Sequence, residues 1–323
     1  MKWQKLGQIF EFESSPFKGR FASHAQSPQA LVLDDRVRVY FSTRILEESG
    51  KFLSHVQYVD YASDLTTVIG HSEHEVMPLG KLGCFDEHGI FPLSPTRAGD
   101  KIYGYTNGIS RRTSVDVESG IGFAVSSDNG KTFQKLGDGP VLSTSLYEPF
   151  LVGDAFVRVF DGTFHMFYLF GKKWSEATAE HAPERVYKIG HAISEDGINW
   201  QKTGKLIVAD KVDENECQAL PTVIKIGTRY HMYFCYRHMA GFRTEKGKGY
   251  QIGYAYSDDL VSWTRDDDRA GINLSKDGWD SEMMCYPNIF EYKGDIYLLY
   301  NGNNFGRNGF GIAKLINERD SGK

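Results

Sequence analysis

Three glutamates in this chain each stand five places before a proline: Glu87 before Pro92, Glu216 before Pro221 and Glu282 before Pro287. Other acids gather around them, in Asp86-Glu87-His88, in Glu214-Asn215-Glu216-Cys217 and in Asp280-Ser281-Glu282, and Glu148 and Asp154 flank a comparable stretch. Carboxyls brought together repel one another and raise each other's pKa, so one keeps a proton at neutral pH while another is ionised. A pair of that kind does general acid–base work, and glycosidic cleavage uses such a pair on either side of the bond. We take Glu216, Asp154, Asp86 and Glu282 as the candidates for this chemistry. Arg44, His24, Glu87, His88, Asn107, Glu148, Arg237, Asp280, Asn301 and Arg307 are candidates for recognising a substrate rich in hydroxyls or carboxylates. Taken singly, each acid reads equally well as a solvated loop residue or strand cap.

Residues so far apart in sequence meet only if a repeat gathers them. Five segments share an aromatic strand pattern: Arg38-Val39-Tyr40-Phe41, Lys101-Ile102-Tyr103-Gly104, His165-Met166-Phe167-Tyr168, His231-Met232-Tyr233-Phe234 and Asp295-Ile296-Tyr297-Leu298. Their third positions lie 63, 64, 66 and 64 residues apart, a period that marks a repeat architecture. An apolar-Gly-x-Ala marker follows four of them, at Ile121, Ile189, Ile252 and Phe310, and a degraded copy, Val59-Asp60-Tyr61-Ala62, follows the first. Tight polar turns such as Ser126-Ser127-Asp128-Asn129-Gly130 and Ser194-Glu195-Asp196-Gly197 then lead into Phe133 and Trp200. Pro28, Pro92, Pro221 and Pro287 open the first strands, where the missing N–H costs no ladder bond.

The pattern predicts an all-β, five-bladed β-propeller with four antiparallel strands per blade, spanning 1–323 as one domain. The blades fall at about 25–70, 89–137, 150–204, 218–267 and 284–316. The fifth unit lacks its last strand, and Lys2-Trp3-Gln4-Lys5 matches Asn199-Trp200-Gln201-Lys202 at three of four positions. Residues 1–10 are therefore expected to join the last blade and close the ring, with Met1 as the true start. In that geometry the starts of the innermost strands and the ends of the second strands share one mouth, and the candidate residues above line it.

Composition narrows the partners. The chain has 37 basic and 42 acidic side chains, a net charge of −5 and no long basic run, which argues against nucleic acid. No stretch approaches the roughly 18 apolar residues of a membrane span, and the N-terminus carries no secretory pattern. Cys84, Cys217, Cys235 and Cys285 show no metal-type spacing and read as free thiols in a reducing cytoplasm. His24, His88, Cys84, Cys217 and Cys285 approach one axis, but no spacing demands a metal and no cofactor is expected. The predicted partner is a carbohydrate or a sugar-containing small molecule, and the oligomeric state is left open.

At the level of its repeats the whole chain resembles the five-bladed propeller glycosidases, glycoside hydrolase families 32, 43 and 68 and their relatives, some of which hold a divalent ion in the channel. Those families place acids at inner-strand starts of the first, third and fourth blades. Val152-Gly153-Asp154-Ala155 is similar to their Arg-Asp-Pro motif without its Arg and Pro, which implies that Asp154 stabilises the transition state or tunes the acid. Asn215-Glu216-Cys217 is similar to the Glu-Cys motif, which implies that Glu216 is the proton donor. The first blade departs from the pattern, with Gln26-Ser27-Pro28 where an Asp precedes the Pro. Three readings follow: a hydrolase in which Asp86 or Glu282 supplies the base or nucleophile, a phosphorylase in which arginines hold an attacking phosphate, or a propeller that binds sugars without cleaving them. The fifth unit also looks like members of this superfamily encoded with surface-polysaccharide genes. Ser126-x-Asp128-x-Gly130 resembles the Asp-box of sialidases, a turn stabiliser on a six-bladed fold.

Overall fold

The computed structural model describes residues 1–178 and 182–316. After β1 (Trp3–Glu11) the chain runs through four-strand meanders. The first is β2 (Ser23–Val32), β3 (Val37–Leu46), β4 (Phe52–Tyr61) and β5 (Val68–His71). The second is β6 (Gly89–Ala98), β7 (Lys101–Arg111), β8 (Val117–Ser126) and β9 (Gln134–Lys135). The third is β10 (Val152–Phe160), β11 (Thr163–Trp174), β12 (Arg185–Ser194) and β13 (Gln201–Lys202). The fourth is β14 (Cys217–Ile226), β15 (Arg229–Arg237), β16 (Gln251–Ser257) and β17 (Thr264–Arg265). The last is β18 (Cys285–Tyr292), β19 (Asp295–Asn301) and β20 (Gly309–Leu315). Among the described residues helix is confined to single turns at Asp267–Arg269 and Asn303–Gly306, and none is long and apolar enough to cross a membrane.

All within-meander pairings are antiparallel. The first two meanders form one eight-stranded sheet, in which the strand pairing between them is a single parallel bridge, Ser54 to Gly89. Among the described residues no sheet closes on itself. β1 completes the last sheet by pairing with β20, from Trp3 opposite Leu315 to Glu11 opposite Gly309. It thereby covers the edge that β20 would otherwise present. The Trp3 indole N–H donates to the Tyr233 hydroxyl at 3.0 Å and meets that ring edge-on at 5.4 Å, so β1 is also packed against the fourth meander.

The polar turns do what their residue types allow. Asp196 accepts the backbone N–H groups of Ile198 and Asn199 at 2.8 Å each, and these bonds hold its carboxyl well below the usual carboxylate range. Asp128 and Asp259 bind their own turns in the same way. Two of these turns are then fastened to a neighbouring unit: Tyr40 donates to the Gly130 carbonyl at 2.5 Å, and Tyr105 to the Gly197 carbonyl at 2.9 Å. A Cβ on Gly197 would come within 2.7 Å of the Tyr105 hydroxyl, on a backbone with φ of +75°. Tyr105→Phe removes this tie without changing shape. It is expected to cost about 1 kcal/mol in denaturant melts at constant m-value, and an unchanged midpoint would remove the tie from the account of stability.

The innermost strands β2, β6, β10, β14 and β18 each pack against two of the others, in that cyclic order. Each carries a register shift at the same place, between Gln26 and Gln29, Ile90 and Leu93, Gly153 and Phe156, Ala219 and Thr222, and Cys285 and Asn288. In four of the five, a non-glycine residue within the shift has a left-handed φ: Ser27 (54°), Asp154 (51°), Leu220 (44°) and Tyr286 (57°). Bulges of this kind bend a strand and re-aim a side chain, and backbone strain of this kind gathers at functional sites.

Candidate active site

Above the bulges, where inner strands begin and second strands end, lies a cleft of about 280 Å³. It opens below into a floor compartment of about 90 Å³, and the two share Phe91, Ile109, Arg185, Tyr187, Tyr250 and Tyr286. Asp154 sits in the floor, 5% exposed, because its left-handed backbone turns the carboxyl out of the sheet. Asn107 donates to it at 3.3 Å and to the Phe91 carbonyl at 2.7 Å. Gly153 allows that approach, since a Cβ there would meet the Asn107 amide at 2.5 Å. Burial pushes the Asp154 pKa up to about 7, against the pull of the Arg185 charge and of hydrogen bonds from the Leu220 N–H and Asn107. Among the described residues that line the two compartments, Asp154 is the one carboxyl.

The walls are cationic: Arg44, Arg185, Arg237 and Arg243 all line the upper cleft. Arg237 is buried and fixed, donating to the carbonyls of His238 (2.7 Å) and Met239 (3.1 Å) and to the Tyr187 hydroxyl (3.1 Å), with its guanidinium 3.5 Å from the centre of the Phe242 ring. Tyr187 and Tyr250 are hydrogen-bonded through their hydroxyls. Arg243 pairs with Glu184 at 2.8 Å. Arg44 donates to Gln26 at 3.1 Å and, like Arg185, has no carboxylate within ion-pair distance among the described residues. Burial, and the nearby charge of Arg243, lower the Arg44 pKa. His24 stands beside them, and burial together with Arg44 and Arg307 pushes its pKa down to about 3, so its imidazole is neutral at pH 7.

The ring of acids expected to line this mouth is organised differently. Four of them are ion-paired inside their own units with a base on the outermost strand: Asp86 with Lys135, Glu148 with Lys202 (2.5 Å), Glu216 with Arg265 (2.5 Å) and Asp280 with Lys5 (2.6 Å). Tyr168 also donates to Glu148 at 2.9 Å and Tyr300 to Asp280 at 3.0 Å. Glu216, expected as proton donor, is fully buried and accepts the Lys211 and Val212 N–H groups at 3.0 Å each as well as Gln218. Asp86, expected as base or nucleophile, is buried against Lys135. Neither lines the cleft. A buried carboxylate needs a charge partner and hydrogen bonds, and these acids have both from the scaffold.

The remaining expectations divide. His24, Arg44, Asn107 and Arg237 line the cleft or its floor. Glu282 is exposed and lines a separate compartment. Glu87 accepts the Gly83 N–H at 2.6 Å and lies 3.4 Å from His88, whose Nδ1 faces the Arg111 N–H; neither lines the cleft. Asn301 is a buried staple, accepting the Ser27 N–H and donating to the Ala25 and Gly309 carbonyls. Arg307 is exposed and acts on His24 through its charge. Among the described residues no group of three or more His, Cys, Asp or Glu is placed to hold a metal, so His24, His88 and the cysteines do not form such a cluster. Arg185, Arg243, Tyr187, Tyr250 and Tyr286 were not anticipated. The spacing of 63 between Tyr187 and Tyr250, one repeat apart at the start of third strands, is the signal that was there to be read.

No known protein-family profile matches the chain. Rv1502 of Mycobacterium tuberculosis (strain ATCC 25618 / H37Rv) is 31% identical over 318 residues, 98% of this chain and all of that one. β-1,2-Mannobiose phosphorylase of Thermoanaerobacter sp. (strain X514) is 30% identical over 111 residues, 32% of this chain and 35% of that protein. Among solved structures, a glycoside hydrolase superposes with a TM-score of 0.73 at 17% identity, covering 96% of this chain and 90% of that one. The family 43 glycoside hydrolase of Xanthomonas citri complexed with xylose gives 0.61 at 16%, covering 98% and 91%. At such identities the likeness establishes a shared propeller fold.

Proposed function

The chain belongs to the family of Rv1502 of Mycobacterium tuberculosis, and from that premise and the chemistry of the cleft we propose that it is a glycoside phosphorylase acting on mannose-containing oligosaccharides. The fold in this reading is a five-bladed ring in one domain, closed by β1; the cyclic packing of the inner strands and the β1–β20 pairing support it. One observation carries the chemistry: the described lining holds four arginines and a single carboxyl. Hydrolysis by two carboxylates needs a second acid across the bond. Phosphorolysis needs one acid and a site for a dianion, and guanidinium groups without counter-ions are suited to a phosphate. The local similarity to a β-1,2-mannobiose phosphorylase supports both the reaction and the sugar.

In this mechanism Asp154 enters protonated, which its raised pKa favours at neutral pH. A phosphate oxygen held by Arg44 and Arg185 attacks the anomeric carbon. The bond to the leaving oxygen breaks as that oxygen takes the Asp154 proton. The products are a sugar 1-phosphate and a shortened alcohol, and the proton on the incoming hydrogenphosphate restores Asp154. Neutral His24 and the fixed Arg237 orient hydroxyls and the anion. A cytoplasmic location fits this reading, because phosphate is abundant where thiols such as Cys217, Cys235 and Cys285 stay free.

The test is turnover of β-1,2-linked mannobiose with and without inorganic phosphate. Sugar 1-phosphate should form in proportion to phosphate, and Arg44→Ala should raise the KM for phosphate at least tenfold, about 1.4 kcal/mol. Free mannose released at the same rate in phosphate-free buffer would make the enzyme a hydrolase and end this proposal.

A further inference from the structure

A second compartment of about 320 Å³ adjoins the cleft, and the two share Phe242, Arg243 and Phe305. Its far side carries Lys276, Ser281, Glu282 and Glu245, side chains of both signs that suit hydroxyl groups. The shared wall is aromatic: the Phe242 and Phe305 rings stand perpendicular with centroids 6.0 Å apart, and Phe305 meets Tyr250 of the cleft in the same way at 6.1 Å. Arg237 and Arg243 lie over Phe242 at 3.5 and 4.1 Å from the ring centre and hold it in place.

Phe305 is held there against its own backbone preference. Asn304 and Phe305 are consecutive non-glycine residues in the left-handed region, with φ of 56° and 58°. Such residues normally occur singly, and strain of this sort persists only where the surroundings impose it. Asn303 imposes it: its side-chain oxygen accepts the Glu282 and Met283 N–H groups at 2.8 and 3.0 Å, its amide donates to the Gly278 carbonyl at 3.0 Å, and its own N–H donates to the Trp279 carbonyl at 2.8 Å. The loop that strains Phe305 is thus pinned to the loop that carries Glu282.

We infer that the second compartment is a further sugar subsite, that the substrate is a chain of at least three units, and that Phe305 is the residue that sets this length preference by stacking on the sugar between the two spaces. The inference rests on the reading of the cleft as a glycoside site. Sugars present apolar C–H faces that pack on aromatic rings while their hydroxyls meet polar rims, and the two compartments together match the 300–1,000 Å³ or so of a site for a ligand of several rings. Glu282 takes a role here as a hydroxyl acceptor for the distal unit, on the far side of Phe305 from Asp154.

The test measures binding of β-1,2-linked mannobiose and mannotriose by calorimetry in phosphate-free buffer, so it does not depend on phosphorolysis. The wild type should bind the trisaccharide at least tenfold more tightly than the disaccharide. Phe305→Ala should bring that ratio to within threefold of unity. Glu282→Ala, at an exposed position where folding is not at risk, should reduce the same ratio about fivefold. Equal affinity for the two sugars in the wild type, no binding of either, or a loss in both variants that leaves the ratio intact, would each overturn the subsite. A preserved length preference in a protein that proves indifferent to phosphate would retain the subsite and reject the phosphorylase.

Discussion

Asp154→Asn is expected to lower turnover by about 100- to 10,000-fold and, above pH 7, to make the folded protein more stable. Both effects come from one feature, a carboxyl turned into a nearly dry floor by a left-handed backbone. Asparagine keeps the shape and the Asn107 contact but has no proton to give a leaving group. The stability effect follows from linkage. The folded-state pKa is about 7 and the unfolded one is near the ordinary value of 3.8. The folded protein therefore binds the extra proton between these limits. The stability this group contributes is fully present below about pH 4 and is lost as pH rises through about 7. The loss is of order 4 kcal/mol, and the variant is spared it. Melts of wild type and variant should nearly coincide at pH 4 and differ by several degrees at pH 8, with the variant higher. The wild-type rate should fall as pH rises past about 7, because the acid form is the working one. A variant that melts no higher than the wild type at pH 8 would show that Asp154 is ionised without strain, and it would then be no proton donor.

The repeat was legible because propeller strands obey local rules. The aromatic marker, the Gly-x-Ala strand and the Ser-x-Asp turn each need particular residue types, so they recur once per unit, the aromatic marker at steps of 63 to 66, and survive divergence elsewhere. Trp3 opposite Leu315 was equally legible, because Lys2-Trp3-Gln4-Lys5 keeps the pattern of an outer strand. The site was less so. Acids in front of each inner strand signal convergence, but sequence does not say whether a carboxyl faces the axis or turns back into its sheet. The missing half of the signal was a second repeat: Gln4-Lys5, Gln134-Lys135, Gln201-Lys202 and Thr264-Arg265 place a base at the same outer-strand position in four units. Read together with Asp280, Asp86, Glu148 and Glu216, that repeat describes a latch inside each of those four units. The arginines of the cleft left no such trace. Arg185 and Arg243 lie at strand starts and in loops where the units differ, as expected where each blade contributes its own piece of one asymmetric site.

If the latches are structural, Arg265→Ala should destabilise the protein by about 3–5 kcal/mol, while Glu216→Gln should cost far less and leave turnover within severalfold of wild type. Glu216 is fully buried and Arg265 is 7% exposed on its side chain, so the pair is shielded from solvent and salt. Removing the guanidinium leaves a carboxylate with no counter-charge in a space it cannot leave, and it also strips Asp267 of a partner at 3.0 Å. Glutamine keeps an oxygen for the Lys211 and Val212 N–H groups but gives up the acceptor for Arg265 and Gln218, while Arg265 retains Asp267 as its counter-charge. Urea melts give the order of stability, and initial rates on the same samples give the activity. The decisive comparison is between the two acids that compete for the role of proton donor. Turnover reduced about 100-fold or more in Glu216→Gln, at an unchanged melting midpoint, would return the catalytic role to Glu216. The reverse pattern, with Asp154→Asn folded but inactive and Arg265→Ala unstable but active when folded, separates the group that reacts from the groups that hold the fold together.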